Sequence, residues 1–218
     1  KMFKKVLVAN RGEIAVRIIR SCHDYGIKTV AVYSTADQNC FHRFVADENV
    51  CVGNAFLSES YLNIHSIINA AIQIGADAIH PGYGFLSENS YFSKMCEKHN
   101  ITFIGPTPEV MNCMGNKINA RKTMEKIGVP VVPGTGNIEN IKQAIKAAGD
   151  IGYPVIIKAG AGGGGKGIRV ANNEEELKSQ FSIAKEEVQK FFSNDEVYIE
   201  KFIVEPRHVE FQILGDKH

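Results

Sequence analysis

The sequence predicts an α/β protein: a parallel sheet covered by helices on both faces, followed by a smaller α+β unit carrying a glycine hairpin. Three observations predict it. Short apolar runs alternate with helically spaced segments through the first hundred residues. Proline and glycine clusters at 105–108 and 128–133 interrupt that rhythm. The stretch KAGAGGGGKG (158–167) then sets six glycines in ten residues between two β-branched runs.

The elements follow in order. VLVAN (6–10) is an apolar run of buried-strand type, and GEIAVRIIRSCHDYG (12–26) follows with helical spacing. Ala15, Ile18, Ile19 and Cys22 form its apolar stripe, while Glu13, Arg17, Arg20 and Asp24 on the other face make two i,i+4 opposite-charge pairs. IKTVAVYS (27–34) closes a βαβ unit. A helix at 60–74 presents Ile64, Ile67, Ile68 and Ala71; a strand near ADAIH, a helix around 90–98 and a strand ITFIG (101–105) come next. Gly105-Pro106-Thr107-Pro108 is the first candidate boundary. A helix over 117–127 ends at Gly128, and Pro130 and Pro133 read as a linker. The second unit opens on a helix with Ile138, Ile141, Ile145 and Ala148 on one face, then the strand PVIIKA (154–159). The glycine run leads to a strand GIRVA (167–171). Asn172 or Asn173 caps a helix whose first turn holds Glu174, Glu175 and Glu176, acids suited to a helix N-terminus. Its buried stripe is Leu177, Phe181, Ala184, Val188 and Phe191. VYIEKFI (197–203) and HVEFQIL (208–214) read as two more strands.

Composition bounds the function. With 218 residues, 44% hydrophobic and 22% charged, the chain has the make-up of a soluble globular protein. A formal net charge of +1 supplies no basic field for nucleic acid or a membrane surface, so neither is expected as a partner. Cys22, Cys40, Cys51, Cys96 and Cys113 are odd in number and form no C-x-x-C pair, which leaves free buried thiols in a reducing compartment as the simplest reading. No run suits a signal peptide or a membrane span, and a cytoplasmic location is expected. Lys1 stands ahead of Met2 and reads as an added residue rather than the natural start.

Glycine loses the most backbone freedom on folding, so such a run needs a reason. A phosphate chain supplies one, because unobstructed backbone N–H groups can bond it. Gly160-x-Gly162-x-x-Gly165 matches a dinucleotide fingerprint, and Gly160-x4-Gly165-Lys166 most of a P-loop. Both require a helix directly after the glycines, whereas GIRVA is β-branched, and Gly167 lacks the hydroxyl that a P-loop puts on magnesium. A glycine hairpin folding over phosphates as a lid fits; a plain hairpin tip is the bland alternative. Gly12-Glu13 is not a nucleotide fingerprint, having one glycine where three are needed.

VLVANRGEIAVRIIR, AIHPGYGFLSEN, FIGP, MGNK, YPVIIKAGAGGGGKGIRV, VYIEKF and EPRHVEFQIL, in this order, resemble the amino-terminal half of a biotin carboxylase, one of the ATP-grasp enzymes. The resemblance covers essentially the whole chain. It implies a Rossmann-like (pre-ATP-grasp) domain at 1–116, an α+β ATP-grasp lid subdomain at 117–203, and at 204–218 the first strand of a truncated catalytic domain. It also implies that ATP activates bicarbonate as carboxyphosphate, and that the carboxyl group passes to a ureido nitrogen of biotin on a carrier protein.

The residue roles that follow are what the resemblance implies. Lys158, which alternation puts on the face of Ile156, and Lys117 of MGNK contact ATP phosphates. A cation at Lys158 is costly unless it meets an anion. Gly164 and Gly165 cover the triphosphate. Glu200, Lys201, Phe202 and Ile203 hold the adenine, largely through backbone groups; Lys201 breaks the apolar face of Val197, Ile199 and Ile203. His208 faces the nucleotide and the biotin side, where Tyr83 of HPGYG packs. Read alone, each has a bland reading: a solvated helix start at Lys117, a fraying strand end at Lys201, a structural histidine, a turn-anchoring tyrosine. The Mg2+ ligands, the bicarbonate-binding arginine and the catalytic base fall past His218, so the chain alone is expected to be an inactive part of an enzyme. Implied partners are biotin carboxyl carrier protein, carboxyltransferase subunits and a second copy docked through Arg17, Arg20 and Asp24.

A bacterial-type acetyl-CoA carboxylase in fatty acid synthesis is the expected setting. The same blocks would suit a pyruvate or propionyl-CoA carboxylase, which fused carrier and transferase domains would reveal. A non-catalytic nucleotide-binding or interaction module is the reading from another class.

Overall fold

The computed structural model describes residues 2–160, 168–192 and 196–215. The chain divides into two compact units, Lys1–Gly115 and Asn116–His218.

The first unit contains β1 (Lys5–Val8), α1 (Gly12–Asp24), β2 (Lys28–Ser34), α2 (Phe41–Val45), β3 (Glu48–Gly53), α3 (Ile64–Ile74), β4 (Ala78–His80), α4 (Ser90–Lys98), β5 (Thr102–Phe103) and α5 (Pro108–Gly115). The strands form one parallel sheet in the order β3-β2-β1-β4-β5. Alternation along each strand divides the core. Leu7, Val30, Val32 and Ile79 pack with Ile67, Ile68, Ala71 and Phe92 of α3 and α4. Val8 and Ala31 pack with Ala15, Ile18 and Ile19 of α1. Helices therefore cover both faces, as the apolar runs predict. Asn63 and Asn89 cap α3 and α4, each accepting a bond from the backbone N–H three residues on.

The second unit contains α6 (Lys117–Lys126), α7 (Ile141–Ile151), β6 (Val155–Ala159), β7 (Arg169–Ala171), α8 (Glu174–Phe192) and β8 (Val197–Lys201). Its sheet is antiparallel, in the order β7-β6-β8. Val155, Ile157, Ala159, Val197 and Ile199 turn to one face, against Ala144 and Ala148 of α7 and Leu177, Phe181, Ala184 and Val188 of α8. Phe191 has its side chain outside the described set. Asn173 is the cap of α8, accepting from the Glu176 N–H at 2.8 Å.

Several expectations need correction. HVEFQIL is not a strand: residues 204–215 carry no regular structure, and Val209, Phe211 and Ile213 are exposed. Alternation marks a strand only where a neighbour supplies ladder bonds, and no described segment pairs with this one. Residues 204–215 therefore form no strand here, and 216–218 lie outside the described residues. Pro108 opens α5 instead of ending the first unit, since proline suits the first helical turn, where no N–H is required. Ile138 is buried but precedes α7, whose cap is Asn140. Glu13 does not turn to Arg17; it accepts a hydrogen bond from Tyr83. Of the five free thiols only Cys96 is buried, and Cys51 is exposed. Among the described residues, no helix is long and apolar enough to cross a membrane.

The first unit holds one fully buried histidine, His42, and one half-buried, His80. His42 Nε2 donates to the Val32 carbonyl at 3.1 Å, and burial pushes its pKa below the ordinary 6.5; burial does the same to His80. Below pH 6.5 the unfolded chain takes up these protons first, so stability present above that pH is lost on acidification toward the folded-state values. The melting temperature is expected to fall between pH 7.5 and pH 5, with a shallower fall in His42→Gln. A melting temperature flat across that range would refute the assignment.

Candidate functional site

Each unit presents a candidate site among its described residues. In the first, the strand order reverses about β1: β2 lies on one side of it and β4 on the other. The crevice outside the carboxyl ends of two strands at such a point is where doubly wound sheets take ligands. Here it is a cavity of about 370 Å³ lined by Asn10, Glu13, Tyr83 and Phe85, among others. Asn10 is buried at the end of β1, and its Nδ2 donates to the carbonyls of Pro81 at 2.7 Å and Tyr83 at 2.8 Å. Its Oδ1 accepts from the Arg11 N–H at 2.9 Å. One side chain thus fastens the HPGYG turn to the neighbouring strand. The turn also needs Gly82, at φ 65°, where an added Cβ would stand 2.8 Å from Asn10 Nδ2. Tyr83 is exposed and donates to Glu13 Oε1 at 2.5 Å, a bond to a carboxylate that raises the phenol pKa.

Beside this crevice, Asp37 collects bonds at the end of β2. Tyr61 Oη donates at 2.7 Å, Ser34 Oγ at 3.1 Å and Cys40 Sγ at 3.3 Å, and Arg11 pairs with it at 3.3 Å. Burial alone would raise the Asp37 pKa, but these donors and the Arg11 charge hold it below the usual carboxylate value. This network joins three segments of chain, at Arg11, 34–40 and Tyr61, and sequence reasoning missed it.

In the second unit the sheet has a polar face opposite α7 and α8. Register pairs Ile156 with Glu200 and Lys158 with Tyr198, so all four residues share that face. Lys158 Nζ lies 2.6 Å from Glu200 Oε2, and Arg121 Nη1 of α6 lies 3.2 Å from Glu200 Oε1. The anion that a cation at Lys158 requires is thus already present in the protein. Tyr198 is buried; burial first, and then the Glu200 charge, push its phenol up to about 12. Lys117 is exposed at the start of α6, and its backbone N–H donates to the Gly160 carbonyl at 3.3 Å. Gly160 in turn donates to Glu196 O at 2.8 Å, and a Cβ on it would stand 3.0 Å from Ile118 Cδ1. The entry to the glycine run is therefore packed against the helix that begins at Lys117. Gly164, Gly165 and Lys166 lie outside the described residues, and so does the expected lid.

Lys201 ends β8 and donates to the carbonyls of Gly152 at 3.0 Å and Tyr153 at 2.8 Å, at the C-terminus of α7. Its break in the apolar alternation is thereby satisfied within the protein. The backbone N–H groups of Lys201 and Phe202 donate to Pro133 O and Pro154 O. Ile203 is exposed, and its N–H has no acceptor among the described residues. His208 is exposed in the segment without regular structure. The fold therefore brings Lys158 and Glu200 together and sets the start of α6 against Gly160. It leaves His208 apart from regular structure and Tyr83 in the other unit. The groups fit a phosphate: an ammonium 31% exposed, beside backbone at the head of a glycine run. Among the described residues, no group of three or more His, Cys, Asp or Glu could hold a metal ion.

Comparison with known proteins gives these positions a context. Residues 2–111 match the biotin carboxylase N-terminal domain, and residues 116–218 match the carbamoyl-phosphate synthase L chain ATP-binding domain. Biotin carboxylase 1 of Bacillus subtilis (strain 168) is 55% identical over 218 residues, covering 100% of this chain and 48% of that relative. The chain thus spans about half the length of the curated relatives it matches. The crystal structure of a biotin carboxylase–beta-gamma-ATP complex from Campylobacter jejuni superposes with a TM-score of 0.91 at 49% identity, over 94% of this chain and 46% of that one. The biotin carboxylase domain dimer of Hydrogenobacter thermophilus 2-oxoglutarate carboxylase, in complex with MgADP, ADP and bicarbonate, gives a TM-score of 0.87 at 48% identity, over 93% and 45%.

Proposed function

The chain belongs to the biotin carboxylase family, and from that premise we propose that it is the ATP-binding portion of an ATP-dependent biotin carboxylase. ATP phosphorylates bicarbonate to carboxyphosphate with release of ADP, and the carboxyl group then passes to a ureido nitrogen of biotin on a biotin carboxyl carrier protein. The observation that carries the reading is the polar sheet face, where Lys158 stands two residues before Gly160 and the glycine run. Lys158 and Lys117 bind the phosphates, Gly164 and Gly165 close over them, and Glu200 to Ile203 line the adenine, with the Ile203 N–H as a donor. His208 and Tyr83 serve the biotin side. No cluster among the described residues fits Mg2+, so its ligands are proposed to come from the rest of the full-length enzyme, where the ion would supply charge neutralisation on the transferring phosphoryl group. Acetyl-CoA carboxylase, with its carboxyltransferase subunits and a cytoplasmic location, is the proposed setting.

The test is direct. The 218 residues are expected to bind ATP in calorimetry yet show no bicarbonate-dependent ADP release, whereas the full-length protein shows both, because binding without transition-state stabilisation does not accelerate chemistry. Absence of ATP binding in both would end this reading; turnover by the 218 residues would show that the catalytic groups lie within them.

Association is proposed through α1, where Arg17, Arg20 and Asp24 are exposed. The biotin carboxylase domain of 2-oxoglutarate carboxylase is a dimer in its crystal structure, which supports the proposal. Arg20→Glu in the full-length protein is expected to raise the monomer fraction in sedimentation. The shift is modest, since exposed ion pairs contribute only about 0.2–1 kcal/mol each. An unchanged distribution would return this face to solvent.

A further inference from the structure

The Glu200 carboxylate holds two cations, one on each oxygen. They differ in freedom. Arg121 has a side chain only 9% exposed, and it is pinned twice more, by Nη2 on the Val132 carbonyl and by Nε at 3.1 Å from Glu125 Oε1. Lys158 is 31% exposed and is held by Glu200 at 2.6 Å. The backbone passes close over the pair: a Cβ on Gly134 would stand 2.9 Å from Arg121 Nη1 and 2.9 Å from Glu200 Cγ. The arginine is thus the fixed member and the lysine the movable one.

We infer that Arg121 is a positioning residue that frees Lys158 for phosphate. This rests on the assignment of Lys158 to the ATP phosphates. When Lys158 leaves Glu200 for a phosphate, it abandons a carboxylate that is only 15% exposed. A buried carboxylate left without a cation is costly, and Arg121 keeps this one paired throughout the exchange. Without Arg121, Lys158 would be the sole cation on Glu200, and phosphate would have to compete for it. Glu125 does not change this balance, because its carboxylate is 46% exposed and largely screened by water.

The experiment measures ATP and adenosine affinity of the 218-residue chain by calorimetry. Arg121→Gln is expected to weaken ATP binding by roughly tenfold, the lower end for one charge-assisted bond, and to leave adenosine unchanged. Adding Glu200→Gln, which keeps the backbone groups proposed to meet the adenine, to Arg121→Gln is expected to recover most of the loss, because nothing then detains Lys158. Lys126→Gln, an exposed charge removal on the same helix, leaves both affinities as they were. Melting curves check folding, and Arg121→Lys, which keeps the charge, gives an intermediate ATP affinity should Arg121→Gln not fold. Equal ATP affinity in Arg121→Gln, an equal loss for adenosine, or a double variant no better than the single would overturn the inference. A wild-type chain that binds no ATP would instead remove the phosphate assignment beneath it.

Discussion

Replacing Lys158 with Gln is expected to weaken ATP binding by about 10- to 100-fold, as the loss of a charge-assisted bond worth roughly 1.5–3 kcal/mol requires. Gln is one atom shorter but ends in a polar, uncharged group, and the backbone ladder of β6 to β8 does not depend on the side chain. Glu200 keeps Arg121 as its partner, and so no unpaired charge is left behind on the sheet. The loss should follow phosphate count, large for ATP, smaller for AMP and absent for adenosine. Lys117→Gln is expected to act in the same direction and less strongly, because that side chain is exposed at the start of α6, where water screens it. Titration calorimetry with the three ligands decides it. An unchanged ATP affinity in Lys158→Gln would remove the residue from the site.

Periodicity reveals which residues a strand or helix buries, and here it served well where burial was one-sided. Ala15, Ile18 and Ile19 on α1 and Leu177, Phe181 and Ala184 on α8 are buried as their spacing requires. It served poorly at the sheet edge. ENVCVG forms β3, yet its burial alternates weakly because β2 alone flanks it, and a strand covered on so little of its surface leaves a faint pattern. The helix FHRFV is a single short stretch, too brief for any spacing to register. HVEFQIL shows the opposite error. Its alternation is clean, but its apolar side chains meet no partner among the described residues.

The candidate site divides the same way. The lysines and glycines were visible because their types and order are unusual in one stretch. The groups that hold them were not, since Arg121 lies 79 residues from Glu200, and Glu200 42 from Lys158. Only the pairing of Ile156 with Glu200 brings these positions to one face. A usable signal did exist: Glu200 falls on the opposite parity from Val197 and Ile199, the same side to which Lys158 is assigned on its own strand. Lys201, by contrast, broke the apolar pattern for a local reason, the carbonyls ending α7.

Asn10→Asp is expected to be the most damaging single-atom exchange in the first unit. Wild-type Nδ2 lies 2.7 Å from the Pro81 carbonyl and 2.8 Å from the Tyr83 carbonyl, in a residue only 4% exposed. Asn10→Ala removes three hydrogen bonds and leaves buried carbonyls unsatisfied, a loss of about 2–4 kcal/mol at a net 1 or so per bond with a desolvation term added. Asn10→Asp is expected to cost more, because it sets a carboxylate oxygen against two acceptors with no proton between them. That oxygen regains a proton on acidification, since burial among acceptors favours the neutral acid. The gap between the two variants should therefore narrow as the pH is lowered, while both remain below wild type. The consequence reaches Tyr83, which Asn10 holds at its carbonyl and Glu13 at its hydroxyl. In the full-length protein Asn10→Ala is expected to raise KM for biotin more than KM for ATP, whose proposed contacts lie in the second unit. Urea melts at pH 7.5 and 5.5 and steady-state kinetics with each substrate test both halves of the prediction. Equal stability of the Asp and Ala variants at pH 7.5 would show that the donor at Nδ2 is not what fastens the turn.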